Sequence, residues 1–280
     1  MLRNGKDQIL LDCGEGTQRQ IMVSPASFMK IRGVFVTHMH GDHFYGLAPL
    51  VQTMGLMGRK EPLILRGPEG FSGAVGTILG LCPGDLGFEL DIEDMGPGGS
   101  VMCGGLRVSS FATSHGILSE GYIVEEPDQR GKVDTKKAAS LGVSSEEDLA
   151  EILAGGTVRG VRAQDICGED RRGLRVAYTG DTGRCPTIRS DIEGCDLLIH
   201  ESTYAESEKQ LADGHFHSTA RYAAENARDG RCGALILTHF SNRYKNRSVM
   251  LDEAREVFKN TYLAQDFALF RLTRDGLRSV

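Results

Sequence analysis

The chain has 280 residues, 40% hydrophobic and 25% charged, a composition sufficient for one large α/β domain or two small ones. Its formal net charge of −6 and pI near 5.8 exclude a protein that grips nucleic acid over its whole surface, so any RNA contact must run through local patches. Seven scattered cysteines form no CxxC pair, which predicts reduced thiols in a cytoplasmic protein; a polar start and the lack of any apolar run near ~18 residues predict neither signal peptide nor membrane span.

In chain order, "KDQILLDCGEG" is an apolar run stopped by glycines, which predicts a buried strand feeding a loop. "TQRQIMVSPASFMKI" is helical in pattern with a break at Pro25. "RGVFVTH" predicts a strand and "GLAPLVQTMGLMG" the helix after it; "PLILRG" and "PEGFSGAVGTILGL" repeat that pair. "GFELDIEDM", "SVMCGGLRVSSFATS" and "GYIVEE" read as β-structure. "GLRVAYTGDTG", "CDLLIHES" and "GALILTHFS" are three apolar strands ending in polar residues, interleaved with amphipathic helices in "STARYAAENARD" and "NRSVMLDEAREVFKN". Alternating strands and helices predict a layered α/β fold with helices covering sheets. Residues 126–172 break the pattern: they lack a buried strand and are rich in charge and glycine, which predicts an excursion with one or two short helices or else a solvated loop.

The chemistry concentrates in histidine. "FVTHMHGDHFYGL" places His38, His40, Asp42 and His43 in six positions behind an apolar strand. His38 and His40, two apart, can turn toward one ion, whereas the adjacent Asp42 and His43 suit a second. Neutral imidazole and carboxylate favour zinc or a similar divalent metal. Two ions ~3.5–4 Å apart form the clamp used on phosphate esters. They need a bridging carboxylate, for which Asp181 fits, and His115 and His239 would complete the two shells. His38, His200 and His239 close strands, and Asp181 follows one, so the ligand types gather at C-terminal strand ends, where α/β folds build their sites.

With "HMHGDH" as an HxHxDH signature, the sequence resembles the metallo-β-lactamase superfamily. Within it, "DCGEGTQRQ", "SHGILSEGY", "YTGDT", "LLIHESTY", "HFHSTARYAAENA" and "LTHFSNRY" resemble, in order, the motifs of the ribonuclease Z family, tRNA 3′-processing endonucleases. The resemblance implies an αββα sandwich with two zinc ions per subunit (manganese also fits) at one edge. His38, His40 and His115 would hold one ion and Asp42, His43 and His239 the other, with Asp181 shared and Asp12 bracing the loop. Asp42 would orient or deprotonate the attacking water, and His217, held by Glu201, would protonate the leaving oxygen. The products would be a tRNA 3′-hydroxyl and a trailer with a 5′-phosphate. His215 reads as a plain loop residue; His200 lies either behind the metals or in the core.

Family members with a substrate arm act as homodimers, and "GKVDTKKAASLGV" with "LAEILAGGTV" resembles that tRNA-binding arm. Its basic residues Arg130, Lys132, Lys136 and Lys137, and Arg243 in "SNRY", are the candidate phosphate contacts. The chain departs from the family pattern twice. It begins at "MLRNGKDQ", without the family's first N-terminal strand and basic loop, and "SSEEDLAE" stands where the arm's glycine–proline element is expected. HxHxDH alone also fits a hydrolase of small phosphodiesters, and the absent first strand leaves a non-catalytic RNA-binding protein as a further alternative.

Overall fold

The structure, a computed structural model, describes residues 1–82 and 84–280. One sheet lines up β1 (Leu2–Asn4), β2 (Asp7–Leu11), β3 (Ile31–Phe35), β4 (Leu63–Gly67) and β5 (Leu90–Asp94) in chain order; β1 and β2 form a hairpin and the rest run parallel. The other sheet comprises β6 (Ser100–Cys103), β7 (Leu106–Ala112), β8 (Glu120–Glu125), β9 (Arg175–Tyr178), β10 (Leu197–Glu201), β11 (Leu235–Thr238) and β12 (Thr261–Leu263), adjacent in sequence order. It is antiparallel from β6 to β9 and parallel from β9 to β12. A last hairpin pairs β13 (Phe270–Thr273) with β14 (Gly276–Ser279).

Strand alternation sorts the apolar residues into layers. On β3, Val34 faces helices Leu47–Leu56 and Phe71–Gly80, packing with Leu50, Met54 and Phe71, whereas Phe35 faces the other sheet and packs with Tyr122, Val108 and Val124. On β8, Tyr122 and Val124 point to the first sheet and Ile123 to the opposite helices, among Ala223, Ala227 and Met250. Small residues on helix Ala220–Asp229 let it lie close against β10 and β11. The result is helix, sheet, sheet, helix: the αββα sandwich.

Residues 126–173 form a separate compact unit. Helix Thr135–Ser140 is capped by Asp134, which accepts from the Lys136 and Lys137 amides at 3.0 and 2.9 Å, and helix Glu146–Leu153 by Ser145. A third helix is Ala163–Ile166. Ala138, Val143, Ile152, Val161 and Ile166 give the unit a core of its own. The excursion is thus three helices around apolar contacts, one more than the sequence predicts and not a solvated loop. The short strands β1, β12, β13 and β14 are further additions to the sequence reading.

One polar tie joins the sheets beneath the site. The Tyr122 hydroxyl lies 2.8 Å from the Val36 carbonyl and 2.6 Å from Glu120 Oε1, and the Glu120 amide donates to the Thr37 carbonyl at 3.0 Å. One phenol proton cannot serve two acceptors; with Glu120 protonated, both contacts are satisfied. Burial raises the Glu120 carboxyl to about 8, and its Oε2 has no partner. A carboxyl raised on folding stabilises fully below its ordinary value of 4.5 and loses that contribution as pH climbs through 8. Glu120→Gln, a neutral isostere that keeps the donor, is expected to flatten this dependence. Between about pH 5 and about pH 9 the wild-type Tm should fall several degrees more than that of the variant. Parallel Tm curves by scanning calorimetry would contradict the neutral-carboxyl assignment.

Candidate metal centre and active site

The ends of five strands converge on one edge of the sandwich. β3 leads to His38, β7 to His115, β9 to Asp181 and β11 to His239, while Glu201 ends β10. The turn Gly41–Phe44 after His40 brings Asp42 and His43 back toward the strand ends. Two glycines permit this crowding. A Cβ on Gly14 would stand 1.9 Å from the Asp42 carbonyl oxygen, and Gly180, at φ +58°, leaves no room for one against Thr37.

His38 Nε2 and His115 Nε2 lie 3.1 and 3.3 Å from His40 Nδ1. Asp42 Oδ2 lies 3.7 Å from His43 Nε2 and 3.8 Å from His239 Nε2. Asp181 faces both groups: its Oδ2 is 3.9 Å from His38 Nε2 and 3.3 Å from His239 Nε2, and its Oδ1 is 3.4 Å from His43 Nε2. The seven residues singled out in the sequence as ligands are therefore in one place, and His38, His40 and His115 form one set with ligand atoms within 4.8 Å, as do Asp42, His43 and His239.

Behind these rings lie two carboxylates that hold them by the same device. Asp12 accepts at Oδ2 from His43 Nδ1 at 2.8 Å and from the Thr37 hydroxyl at 3.1 Å, and the Thr37 oxygen is 3.0 Å from His38 Nδ1. The Thr37 amide and the Tyr178 hydroxyl also donate to Asp12, at 2.7 Å each. Glu201 accepts at Oε1 from His217 Nδ1 and at Oε2 from the Thr203 hydroxyl, both at 2.8 Å, and the Thr203 oxygen is 2.9 Å from His239 Nδ1. Each carboxylate so orients one imidazole directly and another through a threonine. His115 Nδ1 donates instead to the Phe216 carbonyl at 2.9 Å. In four of the candidate ligand histidines Nδ1 is occupied this way, which leaves Nε2 turned inward.

The electrostatics fit a cation. Burial holds the His38 ring down at about 3, so it is neutral and available as a donor. Burial opposes protonation of His43, yet Asp12 and Asp181 push it up to about 11; an ion arriving at its Nε2 would displace that proton. The contact with His239 holds Asp42 at about 2. Burial would raise Asp181, but His43 and the charge of His239 carry it well below the carboxylate range. Asp181 Oδ1 is buried and accepts no hydrogen bond, an orphaned acceptor of the kind a divalent metal satisfies. The donors, imidazole nitrogen and carboxylate oxygen, suit such a metal.

The remaining predicted residues differ in placement. His217 lies beside the sets, its ring 5.1 Å from that of His115 and 5.3 Å from that of His239. His200 is core: it faces away from Glu201's side chain, donates from Nδ1 to the Glu201 carbonyl at 2.7 Å and meets Asn226 at 3.1 Å. His215 ends helix Lys209–Gly214 and stacks on Tyr204. Arg243 is paired with Glu208 at 2.6 Å. Arg130, Lys132, Lys136 and Lys137 are exposed in the 126–173 unit, with the Arg130 guanidinium donating to the Leu153 carbonyl. Thr37, Thr203, Tyr178 and Phe216 were not singled out in the sequence. Only adjacency to His38, to "HES" and to His217 could have flagged the first, second and last. Asp12, Phe216 and His239 all have φ between 54° and 57°, which Asp and His tolerate but which costs a phenylalanine about 1 kcal/mol or more.

Residues 156–240 match the beta-lactamase superfamily domain, and residues 1–68 match the family described as anti-Pycsar protein Apyc1. Ribonuclease Z of Methanothermobacter thermautotrophicus is 38% identical over 269 residues, covering 95% of this chain and 87% of that protein. Ribonuclease Z of Bacillus licheniformis is 36% identical over 274 residues, covering 95% and 89%. Among solved structures, the short form of human tRNase Z has a TM-score of 0.68 at 26% identity and covers 95% of this chain and 88% of its own. The metallo-beta-lactamase fold protein YhfI from Bacillus subtilis, 16% identical with a TM-score of 0.67 over 94% and 86%, shares the fold.

Proposed function

This chain belongs to the ribonuclease Z family, and on that premise we propose how its residues divide the work of removing the 3′ trailer from precursor tRNA. It is a phosphodiester-hydrolysing endoribonuclease of tRNA 3′ processing, and the observation that carries the division of labour is the double carboxylate-held histidine array at the sandwich edge. The donor set supports two zinc ions per subunit, one on His38, His40 and His115, the other on Asp42, His43 and His239, with Asp181 shared; manganese fits the same donors. When bound, such ions polarise the phosphodiester and acidify water.

Asp42, exposed and held near 2, is suited to orienting the attacking water rather than to keeping its proton. His217 spends Nδ1 on Glu201, which leaves Nε2 to deliver a proton to the leaving 3′-oxygen. Breaking the P–O3′ bond then yields a tRNA 3′-hydroxyl and a trailer 5′-phosphate. Arg243 serves a substrate phosphate in exchange for Glu208. The unit at 126–173 serves as the tRNA-binding arm, with Arg130, Lys132, Lys136 and Lys137 on backbone phosphates. The resemblance to arm-bearing family members supports a homodimer, for which sedimentation at micromolar concentration gives the check. Seven cysteines without a CxxC pair suit the cytoplasm, and no described helix is long and apolar enough to cross a membrane.

Purified protein with added zinc is expected to cut a 3′-extended precursor tRNA after the discriminator nucleotide. His217→Ala should slow that cut by ~10²–10⁴-fold with metal content unchanged. Hydrolysis of bis(p-nitrophenyl) phosphate by a wild-type protein that leaves the precursor intact would instead indicate a small-phosphodiester hydrolase, and metal loss in the variant would remove His217 from the proton-donor role. Glu125 pairs with Arg175 across β8 and β9, so a short glycine-containing turn can replace residues 126–173 without opening the sheet. That replacement is expected to lower precursor cleavage at least about tenfold while sparing the small phosphodiester; equal loss on both would reject the arm assignment.

A further inference from the structure

The Phe216 ring is unexplained by anything the fold requires. It is 50% exposed, so it adds little to the core, and its backbone is held in the left-handed region at φ 57°. The carbonyl of Phe216 orients His115, but a carbonyl needs no phenyl group, and glycine would supply it without strain. The backbone is fixed by a close approach: a Cβ on Gly183 would lie 3.2 Å from the Phe216 Cα and carbonyl carbon. The ring itself lies beside Gly116, where a Cβ would stand 3.6 Å from its Cδ2. Next along that segment, Ile117 and Leu118 are 40% and 58% exposed. A half-exposed phenyl ring thus lies against Gly116, the residue after the candidate ligand His115, and immediately before His217 in the chain.

Resting on the function proposed above, we infer that the Phe216 ring is a stacking platform for the nucleobase at the cut, that of the nucleotide whose 3′-oxygen leaves. His217 Nε2 delivers its proton to that oxygen, and Phe216 is the residue before it in the chain. Every base has a π face, so a single exposed ring holds the nucleotide without selecting its identity. The acidic chain, of net charge −6, cannot fix the cut by general attraction to phosphates. Stacking supplies the local positioning that sets which phosphodiester enters. Phe216 is accordingly a positioning residue and transfers no proton.

Two precursor tRNAs test this: one unmodified, the other with an abasic ribose at the nucleotide 5′ of the cut. Both are assayed for kcat/KM with the zinc-loaded full chain. The wild type should prefer the intact precursor by about tenfold. Phe216→Leu, apolar but without a π face, should reduce that preference below about twofold, and Phe216→Tyr should restore it. If leucine at this backbone lowers the folded yield, Phe216→Asn, which tolerates the left-handed region, serves the same comparison. A Leu or Asn variant that keeps the full preference overturns the inference, as does one that loses activity on both precursors alike together with its metal. A wild type that cuts both precursors equally overturns the inference alone, whereas one that cuts neither overturns the proposed function with it.

Discussion

Two buried carboxylates hold this site together. Asp12 secures His43 directly and His38 through Thr37; Glu201 secures His217 directly and His239 through Thr203. An imidazole can rotate and can carry its proton on either nitrogen, so a histidine at a strand end is not yet a ligand. Tying Nδ1 to an acceptor fixes both the ring and the tautomer and turns Nε2 inward. Repeating this around two carboxylates, one in each half of the chain, produces a surface of nitrogen donors facing Asp181. The same Glu201 that orients a candidate ligand orients the candidate proton donor, so the positions of His239 and His217 are coupled.

The arrangement carries a cost that cations offset. Asp12, Asp42, Asp181 and Glu201 converge in a region where three are largely buried, and Asp181 keeps an oxygen with no hydrogen bond. Buried carboxylates without compensating charge are expensive. Without cations, protons on the histidines, on His43 above all, would supply part of the compensation. Divalent ions would take over that role with greater charge at the same atoms. The backbone contributes as well: Asp12, Phe216 and His239 sit in the left-handed region, and Gly14 and Gly180 admit neighbours that a side chain would exclude.

Much of this was legible in the sequence because the residues involved are scarce and fall where strands end. HxHxDH, Asp181, His115 and His239 could be named as candidates from the residues themselves, whereas His217 and Glu201 came from the resemblance to the family's motifs; His200, left between the metal site and the core, lies in the core against Asn226. Thr37, Thr203 and Tyr178 could not be named, because threonine and tyrosine are common in strands and their roles depend on residues far away: Thr203 meets His239, 36 positions on, and Tyr178 meets Asp12, 166 positions back. Phe216 was hidden for another reason, since its conformation comes from packing against Gly183. The strands β1 and β12 escaped because three half-polar residues at a sheet edge carry no periodic signal. In residues 126–172 charge and glycine masked five spaced apolar residues that suffice for a small core.

The central claim is that the two histidine sets are two metal sites sharing Asp181. Anomalous diffraction at the zinc edge from crystals of the zinc-loaded protein tests it most directly. Two peaks are expected, one within ~2.0–2.2 Å of His38, His40 and His115 and the other at the same range from His43, His239 and Asp42, with an Asp181 oxygen reaching each. A single peak, or peaks that leave Asp181 outside both coordination spheres, would contradict the account.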